Sequence, residues 1–226
     1  MKIQITEQQH NRLFEAMQPN FRLDYLASCN SFSKKVNYCK QMLGNPIGNG
    51  SSRVVFQIDD ETCLKLAKND KGVAQNVEEI RIGLDNIIRF VPKVFNGSDE
   101  ENGLWIITQY VLPAKTSDFK KVFGATFADI AEFARYTDIR HDYRCDNWNL
   151  KHANNIVSGL YDKYNDNEMV TSLFSSIEDL KASYEQFVGD LTRIENWGMA
   201  MKNGKPTMVM LDTGLAEEVF KQYYRK

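Results

Sequence analysis

The pattern of apolar and polar residues divides the chain into a strand-rich first half and a mainly helical second half. Two runs rich in β-branched and aromatic residues, 53–58 and 62–67, flank the polar turn 59–61, which predicts a β-hairpin. A second strand pair is predicted at 91–95 and 104–111, because the residues between these segments favour turns.

Helical periodicity marks most of the other segments. Helices are predicted at 33–43, where Gly44 favours termination, and at 72–84. Beyond Pro113 the apolar positions keep a helical period through three stretches, and the second half is therefore expected to be mainly helical. These three stretches centre on 127–134, 156–161 and 170–187.

A late pair of strands interrupts the helical half. Segments 197–201 and 207–211 are apolar and flank an Asn-Gly turn. Asn-Gly between apolar strands indicates a hairpin, because both residues accept the positive φ angles of a tight turn. The predicted fold class is therefore α+β, with an antiparallel β-rich segment 44–112 and a helical segment 113–226.

The first 43 residues are predicted to form an N-terminal extension. Residues 2–5 favour a short strand. A helix should follow, because Thr6 and Gln9 have the spacing of a capping box. The 18–30 segment follows neither period and is predicted to be irregular.

Composition and charge narrow the classes of function. The 226 residues include 28 Lys and Arg against 30 Asp and Glu, a net charge of −2. Nucleic-acid and membrane-surface binding both need a strongly basic surface, so neither partner is expected. No apolar run approaches the ~18 residues of a membrane span, and the N-terminus lacks a signal-peptide pattern. Four scattered cysteines without a CxxC pair indicate a reducing compartment, and a cytoplasmic location is predicted.

A glycine-rich turn at 44–52 precedes the first predicted hairpin. Gly48 and Gly50 would let backbone N–H groups approach phosphate oxygens closely. A Walker-type loop is excluded, because no Gly-Lys-Ser/Thr sequence follows and a strand comes next. A plain surface turn is the alternative.

Lys65 stands inside an otherwise apolar strand, so its ammonium needs a partner or water. Its same-side neighbours Cys63 and Ala67 are small and leave room for a flat ring. A glutamate on the next predicted helix would be a suitable partner. We prefer Glu79, although Glu78 is adjacent and the periodicity does not separate the two. An edge-strand lysine and a solvated helix face are the alternatives.

Oxygen-bearing side chains cluster around the late hairpin. Asp190 and Asn196 precede it, and Asp212-Thr213-Gly214 follows it. Carboxylate and amide oxygens are hard ligands, suited to a Mg²⁺ ion that bridges phosphates. One Asp-x-Gly sequence is explained by an ordinary turn, but the ordered set of features favours a nucleotide–metal site.

Five short segments contain these residues and their neighbours. They are Gly48-x-Gly50-x-x-Arg53-x-Val55, Thr62-Cys63-Leu64-Lys65, Thr108-Gln109-Tyr110-Val111, Gly189-Asp190-Leu191 with Asn196, and Asp212-Thr213-Gly214. Their order resembles the protein-kinase-like superfamily, and the chain is similar to short kinase-like proteins of tailed bacteriophages. The resemblance implies a two-lobed fold, with a small antiparallel N-lobe, a truncated helical C-lobe, and ATP and Mg²⁺ between them.

The resemblance also implies a role for each matching residue. Lys65 would hold the α- and β-phosphates of ATP, and Glu79 would orient Lys65. Asp212 and Asn196 would bind Mg²⁺. Asp190 would accept the proton of the acceptor hydroxyl. The nucleotide would lie against Gly48, Gly50, Val55, Cys63 and Lys65, with the backbone of Gln109 and Val111 facing the adenine edge.

Departures from the kinase pattern leave more than one function open. Asp190 and Asn196 are one residue further apart than usual, no His-Arg precedes Asp190, and the sequence ends soon after Asp212. The first hypothesis is a phosphotransferase of unknown acceptor, acting on a host or phage protein or a small molecule, in the host cytoplasm if phage-encoded. The second is a pseudokinase scaffold that docks a partner protein. A phage structural protein with a coincidental motif order is the third.

The segment 141–147 offers a competing catalytic loop. Asp142 and Asn147 have the customary kinase spacing. The chain then continues into long helices, however, and not into a hairpin that ends in Asp-x-Gly. We therefore predict a loop and a helix start for this segment.

Overall fold

The computed structural model describes residues 21–85, 88–98, 103–142, 144–202 and 205–223. Across these residues the chain is α+β, with antiparallel sheets and several helices, as the sequence predicts. The predicted strand at 2–5 and the helix predicted to begin near Thr6 lie outside the described residues.

An antiparallel sheet occupies the first half of the described chain. Its strands are β1 (Gly48–Asn49), β2 (Arg53–Gln57), β3 (Thr62–Ala67), β4 (Val94–Gly97) and β5 (Trp105–Gln109), in the spatial order β1-β2-β3-β5-β4. The predicted hairpin is confirmed, since β2 pairs with β3 and places Val55 opposite Lys65. On its other side β3 pairs with β5, with Lys65 opposite Ile106. Lys65 is therefore on a central strand, and the edge-strand alternative is wrong.

The second predicted strand pair is confirmed with a later start. β4 and β5 pair in antiparallel fashion, and β4 begins at Val94 and not at residue 91. Pro92 explains the difference, because its ring nitrogen has no hydrogen to donate to a strand ladder. A register shift between Val94 and Asn96 also interrupts this pairing.

The late hairpin forms part of a second antiparallel sheet. It consists of β6 (Leu112–Pro113), β7 (Trp197–Lys202) and β8 (Lys205–Met210), with β7 in the middle. The predicted hairpin is confirmed, with Trp197 opposite Met210. Because β6 follows β5 almost directly, Tyr110 and Val111 connect the two sheets.

Five of the eight described helices agree with the helical periods of the sequence. They are α1 (Leu23–Ser28), α2 (Phe32–Leu43), α3 (Asp70–Leu84), α4 (Thr116–Val122), α5 (Phe127–Arg140), α6 (Asn147–Lys163), α7 (Glu168–Tyr184) and α8 (Glu217–Tyr223). Predictions for α2, α3, α5, α6 and α7 are confirmed, and α2 ends at Gly44, whose φ is 88°. Each helix in the described ranges is too short or too polar to span a lipid bilayer.

The prediction that 18–30 is irregular is wrong for α1. The Lys35 ammonium, on α2, donates hydrogen bonds to the carbonyls of Leu26 and Ala27 at 2.9 and 3.3 Å. These carbonyls lie in the last turn of α1, where a helix leaves acceptors without internal partners. A neighbouring helix therefore stabilises α1, and periodicity within 18–30 does not record that contact.

Two large clusters of buried apolar side chains stabilise this architecture. One packs α1 and α2 against the five-stranded sheet and includes Phe21, Leu26, Phe56 and Leu64. We call this region the sheet part. The other cluster packs α4–α7 against the β7–β8 hairpin and is called the helical part. α3 touches both, because Ile82 near its C-terminal end belongs to the second cluster.

Candidate functional site

A cleft of about 610 Å³ lies between the sheet part and the helical part. Its walls contain residues from both sheets and from the segment that joins them. Nine sequence-predicted site residues line it together: Gly48, Gly50, Val55, Cys63, Lys65, Gln109, Val111, Asn196 and Asp212. Segments far apart in the sequence therefore meet in one cavity.

The glycine-rich turn forms one rim of the cleft. The Gly50 N–H donates to the Arg53 carbonyl at 3.0 Å, and the Ile47 N–H donates to the Val55 carbonyl at 2.8 Å. The Lys68 ammonium donates to the Asn49 side chain at 2.5 Å. The turn is thus tied to β2 and to the segment after β3, and it lines the cavity with two glycines that have no side chains.

Lys65 and Glu79 form a buried ion pair at the back of the cleft. The Lys65 Nζ lies 2.6 Å from the Glu79 Oε2, and the two side chains are 12 % and 6 % exposed. Glu78 instead pairs with Arg81 on the surface of α3 at 2.7 Å. The sequence does not decide between the two glutamates, and in the structure Glu79 is the one that pairs with Lys65.

The two neighbouring cations keep the Glu79 carboxylate ionised. Burial alone raises the pKa of a carboxyl group, because the charged form loses its hydration. The positive charges of Arg53 and Lys65 outweigh burial here and lower the Glu79 pKa to about 2. Glu79 is therefore a fixed negative charge that positions two cations.

Arg53 is the site residue to which the sequence argument gave no role. Its Nη1 donates to Glu79 Oε1 at 2.5 Å and to Asn76 Oδ1 at 3.3 Å. Its Nη2 donates to the Asp212 carboxylate across the cleft. A signal was present in the sequence, since an arginine inside an apolar strand needs a partner as much as Lys65 does.

Asn196 and Asp190 are held together by the two short 3₁₀ turns before β7. These turns span Val188–Thr192 and Ile194–Asn196. The Asn196 Nδ2 donates to the Asp190 carbonyl at 2.8 Å, and the Asn196 carbonyl accepts from the Leu211 N–H at 2.8 Å. Because the Nδ2 of Asn196 faces the Asp190 carbonyl, the Oδ1 of the same amide faces away from it.

Asp212 directly follows Leu211 after β8 and adopts a left-handed backbone conformation, with φ 55°. Aspartate tolerates this region better than most residues, and such conformations concentrate at functional sites. The side chain is 47 % exposed and lines the cleft. Burial, followed by the negative charge of Asp212, raises the pKa of Asp190, so the two carboxylates act on each other electrostatically.

Gly214 brings the segment after Asp212 against α3. A Cβ atom at this position would lie 2.3 Å from the Gln75 carbonyl oxygen, a distance that no side chain tolerates. Only glycine permits this approach, which places Asp212 beside the helix that carries Glu79. The packing therefore fixes the segment after Asp212 against the helix that carries Glu79.

The donor set fits a cation that is held mainly by phosphates and water. No group of three or more His, Cys, Asp and Glu side chains able to hold a metal occurs in the described ranges. Mg²⁺ needs few protein ligands when it bridges phosphates, and one or two carboxylates suffice. Asp212 and Asn196 would supply a carboxylate and an amide oxygen to such an ion.

The other end of the cleft fits a flat apolar ring. Val55 and Cys63 line it, and the Cys63 thiol lies 3.4 Å from the Thr108 hydroxyl. Burial raises the pKa of Cys63, which keeps this wall uncharged. Gln109 and Val111 border the same space.

The described residues of the competing segment, 141–142 and 144–147, lie outside the cleft. The Asp146 side chain accepts a hydrogen bond from the Asn149 N–H at 2.8 Å and caps the start of α6. Asp142 pairs with Arg144 at 2.8 Å. The prediction of a loop followed by a helix start is confirmed.

Comparison of the chain with protein-family models, with curated proteins and with solved structures gave no match. The relationship to the protein-kinase-like superfamily therefore stays a prediction from the motif order.

Proposed function

We propose that this chain has a protein-kinase-like, two-lobed fold and acts as an ATP- and Mg²⁺-dependent phosphotransferase. One observation carries the proposal. A strand lysine paired with a buried glutamate shares a cleft with a late asparagine and a late aspartate. Phosphoryl transfer needs mainly positioning and charge neutralisation, and this set of side chains supplies both.

The sheet part of the cleft would hold the nucleotide. Lys65 would contact the α- and β-phosphates while Glu79 fixes its orientation. Gly48 and Gly50 would let backbone N–H groups approach the phosphates. The adenine ring would lie against Val55 and Cys63, with its edge facing the backbone of Gln109 and Val111.

The helical part would hold the metal and the acceptor. Bound Mg²⁺ would supply positive charge to the phosphate oxygens as charge develops there. Asp212 and Asn196 would hold it through their side-chain oxygens. Asp190 would accept the proton of the acceptor hydroxyl, and its raised pKa moves it towards the range of an effective base. The acceptor would be a hydroxyl group of a protein or a small molecule.

Incubation with γ-labelled ATP and Mg²⁺ tests the proposal. Label should pass to water, to the chain itself or to an added acceptor. Asp190→Asn should reduce this transfer at least 100-fold, since general-base help is worth about 10²–10⁴-fold. Asp142→Asn is the matched control, because it lies in the competing segment outside the cleft and should transfer label at the wild-type rate. Equal loss in both variants, or no loss in either, would contradict the assignment.

A nucleotide-binding scaffold is the second candidate. The Arg53–Asp212 ion pair favours it, because a guanidinium occupies the carboxylate that would otherwise hold the metal. Such a protein would bind ATP without transferring label. A partner protein would then recognise the form of the protein that has ATP bound in the cleft. This candidate would be favoured if wild type and Asp190→Asn both bind ATP while wild type transfers no label.

A further inference from the structure

Arg53 joins the two sides of the cleft through two acidic residues. Its Nη1 lies 2.5 Å from Glu79 Oε1, and its Nη2 bonds to Asp212, which follows 159 positions later in the chain. The Arg53 side chain is 9 % exposed and lines the cleft beside Lys65. Arg53 therefore already neutralises the carboxylate that the proposed function assigns to a metal.

A guanidinium and a divalent cation compete for such a carboxylate. Both are positive, and they would repel each other at the short separation that one shared carboxylate imposes. Mg²⁺ also needs short oxygen distances in a near-octahedral arrangement, which a guanidinium on the same oxygens obstructs. Only one of the two cations can therefore neutralise Asp212 fully at a time.

Arg53 can leave Asp212 without leaving a buried charge uncompensated. Its other nitrogen stays with Glu79, and Lys65 holds the second oxygen of the same carboxylate at 2.6 Å. The freed end of the guanidinium would point into a cavity that Lys65 also lines. A phosphate there would accept charge-assisted, and even bidentate, hydrogen bonds from arginine.

We propose that Arg53 and Mg²⁺ are alternative counter-charges of Asp212, and that metal loading turns Arg53 from Asp212 to the phosphates of the nucleotide. The phosphate contact rests on the proposed function, whereas the exchange at Asp212 requires the metal alone. Arg53 is then a phosphate-binding residue of the cleft.

The exchange is tested with Mn²⁺ alone on the nucleotide-free full chain, followed by electron paramagnetic resonance. R53Q should bind Mn²⁺ at least fivefold more tightly than wild type, because the competing cation is gone. R53K should lie between them, about twofold tighter. R140Q is the matched control, since Arg140 pairs with Glu178 away from the cleft and should leave Mn²⁺ affinity unchanged.

The phosphate contact is tested with a fluorescent ATP analogue at saturating Mg²⁺. R53Q should bind it about tenfold more weakly, the size of one charge-assisted hydrogen bond, and R53K should recover part of this loss. A merely structural Arg53 would weaken metal and nucleotide binding together, so opposite changes in the two titrations are the signature of the exchange.

Mn²⁺ affinity that is unchanged or weaker in R53Q overturns the exchange. If R53Q does not fold, R53K provides the test. A Mn²⁺ affinity of R53K that is equal to or weaker than that of wild type also overturns the exchange. Tighter Mn²⁺ binding in R53Q, together with a wild-type protein that binds no nucleotide, supports the exchange at Asp212. That result overturns both the phosphate contact and the proposed function.

Discussion

The ammonium of Lys65 donates to the carboxylate of Glu79 at 2.6 Å, inside a region where both side chains are almost fully buried. Glu79 also accepts from Arg53 at 2.5 Å, so one carboxylate positions two cations at the back of the cleft. A buried carboxylate with two cationic partners fixes the positions of both partners. Its net contribution to the stability of the fold is smaller, because the cost of desolvating the three charges offsets much of their attraction. Glu79 is the residue on which this arrangement depends.

Removal of the Glu79 charge should destabilise the protein strongly. Glu79→Gln leaves Arg53 and Lys65 buried beside a neutral amide, and breaking a buried ion pair in this way costs about 3–5 kcal/mol. Glu78→Gln is the matched control, since Glu78 forms a surface pair with Arg81 and its loss should cost no more than about 1 kcal/mol. Urea unfolding measures both free energies. Equal losses at the two adjacent positions would contradict the buried-pair account.

The contribution of Glu79 to stability should depend on pH with a definite sign. The pKa of this carboxyl falls from an ordinary 4.5 to about 2 on folding, so the unfolded state binds the proton more tightly. The contribution is present in full above about pH 5 and is lost as the pH falls towards about 2. The difference in unfolding free energy between wild type and Glu79→Gln should therefore shrink across that window. A difference that is constant from pH 7 to pH 3 would show that the charge is not the cause.

Asp190 should titrate above its ordinary pKa of 3.8. Burial is the larger cause and the negative charge of Asp212 the next. Carboxyl ¹³C NMR follows the titration directly, and Asp212→Asn should lower the Asp190 midpoint because it removes the neighbouring charge. Asp138→Asn should lower it less, since Asp138 is a weaker influence. If Asp212→Asn leaves the titration midpoint of Asp190 unchanged, the charge of Asp212 does not act on Asp190 and the prediction is wrong.

Gly214 and Gly159 form a matched pair for testing the approach of the Asp212 segment to α3. A Cβ atom at Gly214 would lie 2.3 Å from the Gln75 carbonyl oxygen, whereas a Cβ atom at Gly159 would meet nothing within 4 Å. Gly214→Ala should cost about 1–3 kcal/mol through overpacking and should weaken nucleotide binding. Gly159→Ala, inside α6, should stabilise by up to about 1 kcal/mol, because alanine favours helix. Thermal unfolding compares the two, and a neutral Gly214→Ala would contradict the close approach.

The sequence predicted those parts of the site that local pattern and motif order encode. Lys65 needs a partner because it stands in an apolar strand, and the helix predicted after that strand offers two adjacent glutamates, of which Glu79 is preferred. The sequence did not decide between Glu78 and Glu79, since adjacent helical residues differ by only part of a turn. The packing of α3 on the sheet made that decision.

Local pattern identifies neither the partner of Arg53 nor α1. The partner of Arg53 at Asp212 is 159 positions away, and only the meeting of the two sheets across the cleft brings the pair together. α1 depends on Lys35, which reaches across from α2 to the carbonyls of its last turn. In both cases a long side chain satisfies polar groups on another element, and periodicity within one segment carries no trace of such a contact.

The central claim is that Lys65 and Asp212 face a common nucleotide. A crystal structure of the full chain with a non-hydrolysable ATP analogue and Mg²⁺ tests it most directly. The account predicts the α- and β-phosphates beside Lys65, the metal within coordination distance of Asp212 and Asn196, and the adenine edge at Gln109 and Val111. An analogue bound elsewhere on the protein, or a cleft that stays empty at saturating analogue and Mg²⁺, would contradict it.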